Sequence, residues 1–211
     1  MLDVILIAVV GGALVALLRG IRVGDRGLEV LAKTAASAAF VVLGAVRWSG
    51  GGSVAGWLVA GLALCAVGDV LLLGERTFDL GLAAFLLGHV AYIVAFHLAL
   101  PLAGWPPWLA LPVATVSLGA AAWLWPHLGP RRPSVAAYIA VITAMVWGAA
   151  AVARAGALPW TVAAGALLFY LSDLSVARQR FVRAAFVNRA VGLPLYYAGQ
   201  VLIALSIAIG A

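Results

Sequence analysis

Long apolar stretches alternate along this chain with short segments that carry charges, glycine or proline. Eight of these stretches approach the about 20 residues that a helix needs to cross the hydrocarbon core of a bilayer. They occupy residues 2–18, 28–46, 54–73, 80–100, 108–125, 134–153, 158–178 and 191–210. None shows the period-two alternation of a barrel strand, and a lone strand in lipid would leave its backbone unpaired. The pattern predicts an all-α polytopic membrane bundle of eight transmembrane helices.

Composition excludes several classes of protein. Hydrophobic residues make up 66% of the chain and charged residues 9%, against about 45–50% and about 25% in soluble domains. A soluble enzyme, a nucleic-acid-binding domain and a disordered chain are therefore all excluded. The connections are too short to separate domains, so residues 1–211 are expected to form a single transmembrane domain. We assign the net charge of +6 to arginines that face anionic headgroups, so no nucleic-acid partner is expected.

The positive-inside rule predicts the orientation. The connections after the first, third, fifth and seventh stretches hold eleven Lys and Arg residues, and the other side holds two. Both termini are therefore expected outside the cytoplasm. The first stretch carries Asp3 instead of a positive leader and is followed by Arg19, which favours a retained helix over a signal peptide. We expect a multi-pass protein of the bacterial inner membrane.

A weak internal repeat appears when the sequence is shifted by 104 residues. The shift places Ala60, Gly61, Leu64, Asp69, Gly88 and Tyr92 on Ala164, Gly165, Leu168, Asp173, Gly192 and Tyr196. Matches of Ala, Gly and Leu arise easily by chance in such a chain, but the matched aspartates are more telling. The repeat predicts a parallel four-plus-four duplication about an axis along the membrane normal.

Two carboxylates lie well inside apolar stretches, which is costly and usually functional. At 1.5 Å per residue, Asp69 lies about 6 Å and Asp173 about 8 Å from the cytoplasmic ends of their helices. The same arithmetic places Tyr196 and Tyr197 about 8–9 Å deep, and His89 and Gln200 about 14 Å deep. We therefore expect Asp69, His89, Asp173 and Gln200 to line one cavity open toward the cytoplasmic side.

Helical spacing supports shared faces. Four residues of the fourth stretch follow i, i+4, i+7 and i+11, namely Phe85, His89, Tyr92 and Phe96. Ser172, His89 and Asp173 include the side chains of a hydrolytic triad, but the GxSxG context is absent. Ser172 is instead expected to bond its own helix backbone. The single cysteine and three histidines are too few and too scattered for a zinc site.

Two segments resemble a known family. The segments are GDVLLLGERTFDLGLAAFLLGHVAYIVAF, and GALLFYLSDLSVARQRF followed by YYAGQVLIA. They are similar to the two signatures of the lysoplasmalogenase (YhhN-like) family. The resemblance implies hydrolysis of the vinyl-ether bond of lysoplasmalogens to a fatty aldehyde and a glycerophospho-headgroup. It implies catalytic roles for Asp69, Asp173 and His89, and substrate contacts for Tyr92, Ser172, Tyr196, Tyr197 and Gln200.

The residues suit that chemistry. Cleavage begins with proton transfer to a vinyl carbon, which a carboxylic acid can supply, and a second carboxylate can stabilise the resulting cation or orient water. No metal or redox cofactor is required. Arg76, Arg178 or Arg180 can hold the phosphate at the cytoplasmic rim, although topogenic roles are the simpler interpretation. The expected partners are a lysophospholipid substrate and bilayer lipids.

Two other functions fit the same pattern. One is a different intramembrane lipid hydrolase or transferase, which would release fatty acid instead of aldehyde. The other is a small proton-coupled transporter, since duplicated helices and buried aspartates suit one. Polar groups confined to one half of the membrane argue against a continuous transport path.

Overall fold

The computed structural model describes residues 1–48 and 52–207, which form eight α-helices and no strand. The helices are α1 (Leu2–Val23), α2 (Arg26–Arg47), α3 (Ser53–Leu71), α4 (Phe78–Ala99), α5 (Ala110–Leu128), α6 (Arg132–Arg154), α7 (Trp160–Ala177) and α8 (Phe186–Leu205). Short 3₁₀ segments precede α5 and α6, and a π-helical turn, Arg178–Val182, extends α7. Each α-helix has 18 to 23 residues, or about 27–35 Å, which matches a hydrocarbon core of about 30 Å.

Hydropathy supports membrane insertion. Helices α1 to α4 and α7 are long and apolar enough to cross, and so is the segment Pro107–Arg154, which contains α5 and α6. Large apolar side chains such as Val4 and Leu118 face outward, 69% and 72% exposed. The chain is therefore a multi-pass integral membrane protein. Helix α8 carries Asn188 and Gln200, so its crossing stays a prediction, as does the orientation of both termini.

Two predicted helix boundaries were wrong by several residues. Helix α1 continues past position 18 to Val23, and α8 begins at Phe186 instead of position 191. The helices extend beyond their apolar cores because arginine-bearing turns stay helical at the membrane surface. A left-handed Gly24 (φ 76°) then ends α1, and the Asp25 side chain caps α2 by accepting from the Leu28 N–H at 3.0 Å. The last three residues of the predicted eighth stretch lie outside the described residues.

A partly buried arginine ties helix ends together. At one end, the Arg47 guanidinium lies 2.7 Å from Asp3 and donates to the carbonyls of Leu205 and Ile207. These contacts join α1 and α2 to the end of α8. Arg47 therefore has a packing role besides its place in the charge pattern.

Helix packing follows a repeating scheme. The neighbouring pairs α1–α2, α2–α3 and α3–α4 correspond to α5–α6, α6–α7 and α7–α8, and α2–α8 corresponds to α6–α4. Glycines permit close approach within the α3–α4 and α7–α8 pairs. A Cβ at Gly88 would lie 2.8 Å from Cys65 Sγ, and one at Gly165 would lie 2.7 Å from the Gly199 carbonyl oxygen. A four-plus-four duplication would produce this scheme. The duplication itself stays a prediction.

The scheme is incomplete, and its largest gap concerns α4 and α5. Helix α1 packs against α8, but the corresponding pair, α5 and α4, shows no comparable packing among the described residues. Helix α5 contacts mainly α6, the 3₁₀ segments at its own two ends and the π-helical turn after α7. The missing contact leaves a space between α4 and α5 on one side of the bundle.

Candidate active site

Asp69 lies on α3 with its side chain buried in the bundle. Its Oδ1 lies 3.1 Å from Lys33 Nζ. Its Oδ2 accepts hydrogen bonds from Ser37 Oγ and Tyr196 OH, each at 2.7 Å. All three partners are donors, so these contacts suit an ionised carboxylate.

Asp173 lies on α7 and is more accessible. Its side chain is 18% exposed, against 3% for Asp69. Its Oδ2 accepts a hydrogen bond from Tyr138 OH at 2.9 Å and lies 3.4 Å from His89 Nε2. Within the described part of the chain, no Lys or Arg lies within ion-pair distance of Asp173. The two carboxylates therefore have different electrostatic surroundings.

His89 is fully buried on α4 directly behind Asp173. Its ring packs against Phe169 and Tyr138, with centroids 4.5 and 5.3 Å away. Nδ1 lies 2.8 Å from the Phe85 carbonyl oxygen, and because a carbonyl only accepts, Nδ1 must carry a hydrogen. Nε2 makes no hydrogen bond to the described residues. The only free ring nitrogen therefore lies beside the Asp173 carboxylate.

The two aspartates occupy equivalent places in the packing scheme. Asp69 on α3 is contacted from α2 and α8, and Asp173 on α7 is contacted from α6 and α4. In the packing scheme α3 corresponds to α7, α2 to α6 and α8 to α4, so the two aspartates are contacted from corresponding helices. Lys33 and Tyr138 thus lie on corresponding helices, but one supplies a cation and the other a neutral hydroxyl.

Both carboxylates line one polar cavity of about 160 Å³. Lys33, Tyr138 and Tyr196 also line it, together with apolar residues of α1, of α4 and of the segment after α3. The cavity continues past Glu29, Asn188, Arg189 and Gln179 toward the end of the bundle. Asp69 and Asp173 therefore share a cavity, as the depth arithmetic predicts.

A larger apolar chamber of about 420 Å³ meets this cavity at Asp173. It lies in the space between α4 and α5 and is lined by aliphatic and aromatic residues of four helices, including Leu86, Ala120 and Ile142. The chamber and the polar cavity share five lining residues: Phe78, Leu82, Tyr138, Asp173 and Val176. Asp173 is thus the carboxylate at the junction of an apolar and a polar space.

Residues 28–207 match the family model described as the YhhN family. The chain belongs to the YhhN family. The match covers both aspartates and every helix except α1. The sequence resemblance is therefore confirmed at the level of the family.

Curated relatives of this YhhN-family chain carry a common name. It is 37% identical over 152 residues to the rat (Rattus norvegicus) protein named lysoplasmalogenase TMEM86B, covering 71% of this chain and 61% of the relative. It is 38% identical over 161 residues to the Mycobacterium bovis protein named lysoplasmalogenase, covering 70% and 58%. The chain thus matches about three fifths of the length of these relatives. No solved structure matches the chain.

Three residues assigned to the YhhN-family site lie elsewhere. Gln200 was expected to line the shared cavity, but it is buried and accepts a hydrogen bond from Tyr92 OH at 2.8 Å. Tyr197 is buried against Phe40, with ring centroids 6.2 Å apart. None of these three lines either cavity. His89 was also expected to line the shared cavity, but it is fully buried behind Asp173 and lines neither space. Each of these residues lies on its predicted helix but faces away from the two spaces.

The remaining sequence candidates differ in position. Tyr196 lines the polar cavity and binds Asp69. Ser172 also lines it, but its hydroxyl donates to the Phe169 carbonyl at 2.7 Å, so its expected backbone bond is confirmed. Arg76 is exposed and lines neither space. Arg178 donates to Asn188 Oδ1, which ties the π-helical turn to α8.

Sequence reasoning missed Lys33, Ser37 and Tyr138. Lys33 was counted among the topogenic charges, yet its side chain is only 12% exposed and pairs with Asp69. A usable signal existed, because Lys33 lies inside a predicted transmembrane stretch, where a cation normally has an acidic partner. Ser37 and Tyr138 gave no such signal, since isolated hydroxyls are common in membrane helices.

Proposed function

We propose that this protein hydrolyses the vinyl-ether bond of lysoplasmalogens to a fatty aldehyde and a glycerophospho-headgroup. The observation that carries the proposal is the pair of carboxylates in one cavity, with an apolar chamber that meets that cavity at Asp173. Family membership and the names of the relatives support the same chemistry. The substrate has a single hydrocarbon chain, which suits one apolar chamber.

The Asp173–His89 pair is the proposed proton donor. Because Nδ1 of His89 donates to the Phe85 carbonyl, a neutral ring directs the lone pair of Nε2 toward the Asp173 carboxylate, 3.4 Å away. Two lone pairs at this distance repel, and one proton held between them removes the repulsion. The pair therefore keeps a transferable proton on either Asp173 or His89, as a general acid requires.

Asp69 takes the complementary role. Lys33, Ser37 and Tyr196 all donate to it, which keeps its oxygens available as acceptors and its charge negative. A fixed negative charge beside the reacting carbon stabilises a cation that forms there. The same carboxylate can accept a proton from attacking water.

Substrate orientation follows from the two spaces. The hydrocarbon chain lies in the apolar chamber, so the outer vinyl carbon comes next to Asp173, and the ether oxygen and glycerol lie toward Asp69. Asp173 then transfers its proton to the outer vinyl carbon, and the double-bond electrons form the new C–H bond. The adjacent carbon becomes an oxocarbenium ion beside Asp69.

Water completes the reaction. It adds to the oxocarbenium carbon while Asp69 accepts one of its protons, which gives a hemiacetal. The ionised Asp173 accepts the hydroxyl proton of the hemiacetal, and the protonated Asp69 donates to the glycerol oxygen as the C–O bond breaks. Aldehyde and alcohol form with one water consumed, and both carboxyl groups return to their starting states.

The decisive experiment is incubation of the purified full chain with a lysoplasmalogen, followed by analysis of lipid products. Release of free aldehyde and a glycerophospho-headgroup is expected. Fatty acid released from an acyl lysophospholipid, without aldehyde, would instead support another lipid hydrolase. Substrate flux in proteoliposomes without turnover would support a transporter.

A further inference from the structure

A second polar space lies beyond the proposed active site. An open basin is lined by Ile21, Arg22, Gln179, Ala185, Phe186 and Arg189. It shares Ile21, Gln179 and Arg189 with the polar cavity. The chamber, the polar cavity and the basin therefore adjoin one another in that order.

We propose that the basin, through Arg22, Arg189 and Gln179, binds the phosphodiester of a single-chain glycerophospholipid. This inference rests on the proposed function, because it places the headgroup of the same substrate. It replaces Arg76, Arg178 and Arg180 as holders of the phosphate. Both the intact lipid and the released headgroup carry the proposed ligand group, a phosphodiester on a glycerol.

The charges of the basin suit an anion. Arg22 makes no ion pair with any described carboxylate, and its guanidinium lies 6.0 Å from the Phe186 ring centroid. Arg189 uses Nη1 for Glu29, at 3.2 Å, and is 42% exposed. A guanidinium has five N–H donors, so this single contact leaves others for phosphate oxygens. Gln179 also lines the basin. Its Oε1 accepts hydrogen bonds from the Ala185 N–H and from Asn188 Nδ2, so its amide NH₂ is the group available to a phosphate oxygen.

The spacing of residues along α8 allows one ligand to occupy both the polar cavity and the basin. Arg189 precedes Tyr196, the Asp69 partner, by seven residues, or about 10 Å along the helix. A glycerol backbone and an extended arginine side chain together bridge this distance. The two arginines that line the apolar chamber are less suited to hold the phosphate. Arg131 pairs with Asp79 at 3.3 Å, and the Arg180 guanidinium lies 4.0 Å from the Phe78 ring centroid.

The test measures binding without turnover. Purified full-length protein is titrated with three probes: a saturated alkyl-ether lysophosphocholine, a monoalkylglycerol with the same chain, and glycerophosphocholine. The saturated ether lacks the reactive double bond, so its binding is independent of vinyl-ether hydrolysis. Arg22→Gln and Arg189→Gln are compared with Arg19→Gln, which removes the same charge one turn earlier on α1 and lines none of the three spaces.

Each basin variant should weaken binding of the lysophosphocholine roughly 5–10-fold, as expected for loss of a charge-assisted contact. Binding of the monoalkylglycerol should not change, and Arg19→Gln should match the wild type. Glu29 keeps Arg26 at 3.1 Å in the Arg189 variant, so no carboxylate loses all its partners. Arg189→Lys should recover part of the affinity.

Unchanged lysophosphocholine affinity in both variants would overturn the proposal, and so would equal weakening of the phosphate-free probe. If only glycerophosphocholine depends on the two arginines, the basin takes the released headgroup and the lipid assignment is wrong. Arginine-dependent binding of the ether lipid by a protein that releases no aldehyde would uphold the basin and reject the proposed reaction.

Discussion

The regions around Asp69 and Asp173 use corresponding helices to give two carboxyl groups different properties. Asp69 has a lysine and two hydroxyl donors, and its side chain is 3% exposed. Asp173 has a tyrosine and an otherwise unbonded histidine nitrogen, and its side chain is 18% exposed. One helix arrangement can thus support a fixed negative charge at one carboxyl and a transferable proton at the other.

The two halves also differ in packing. Helix α1 covers the outside of α8, whereas α5 leaves α4 uncovered and an apolar chamber open beside Asp173. In the proposed reaction, the closed half shields the carboxylate that keeps its negative charge. The open half gives the hydrocarbon chain access to the carboxylate that donates the proton.

Removing either carboxylic acid tests the comparison most severely. Asp173→Asn and Asp69→Asn should each lower kcat by about 10²–10⁴-fold, because asparagine keeps the size but can neither donate an acidic proton nor carry charge. Aldehyde release by the folded variants measures the effect. The double variant should be scarcely slower than the slower single variant, since the two groups act in one step sequence.

Glu75→Gln is the matched control, because Glu75 is an exposed acidic residue outside both spaces. Its turnover should equal that of the wild type. Wild-type turnover in either aspartate variant would remove that residue from the mechanism.

His89 distinguishes a proton-holding pair from a lone acid. His89→Asn should lower kcat by roughly 10–100-fold, because it removes the imidazole nitrogen that lies 3.4 Å from Asp173 Oδ2. Aldehyde release by the folded variant measures the effect. A wild-type rate would show that Asp173 acts without His89.

Lys33 tests the other half of the comparison. Lys33→Met should reduce kcat about 10-fold, because Asp69 loses the cation 3.1 Å away that balances its buried negative charge. Lys33→Arg should restore most of the rate. Equal losses in the Met and Arg variants would indicate damage to packing instead of a charge effect.

Partly filling the apolar chamber should have the smallest effect on turnover. Ala120→Phe fills space between α4 and α5, so KM should rise a few-fold for substrates with long chains and change little for short ones. Steady-state kinetics over a series of chain lengths measures this. Ala164→Phe, on α7 outside both spaces, controls for added bulk. A KM increase independent of chain length would place the hydrocarbon chain elsewhere.

Sequence reasoning predicted which residues carry the chemistry better than where each side chain points. Asp69 and Asp173 stood out because acids are rare and costly in apolar helices. Gln200 and Tyr197 were misplaced because depth along a helix does not fix rotation about its axis. The aromatic face of α4 was correct, since its four members are all buried.

Partners of the carboxylates were harder to predict. Lys33 and Tyr138 become important only once α2 packs on α3 and α6 packs on α7. Tertiary packing of that kind is not encoded in local spacing. The apolar chamber likewise exists because α5 does not pack closely against α4, and no sequence motif predicts such a missing contact.

Hydrolysis in D₂O with the aldehyde trapped as it forms tests the central claim most directly. If Asp173 delivers a solvent-exchangeable proton to the outer vinyl carbon, wild-type protein should release aldehyde with a single deuterium on the carbon next to the carbonyl. Asp173→Asn should release almost none, while Glu75→Gln matches the wild type. Aldehyde without deuterium, or full turnover by folded Asp173→Asn, would contradict the account.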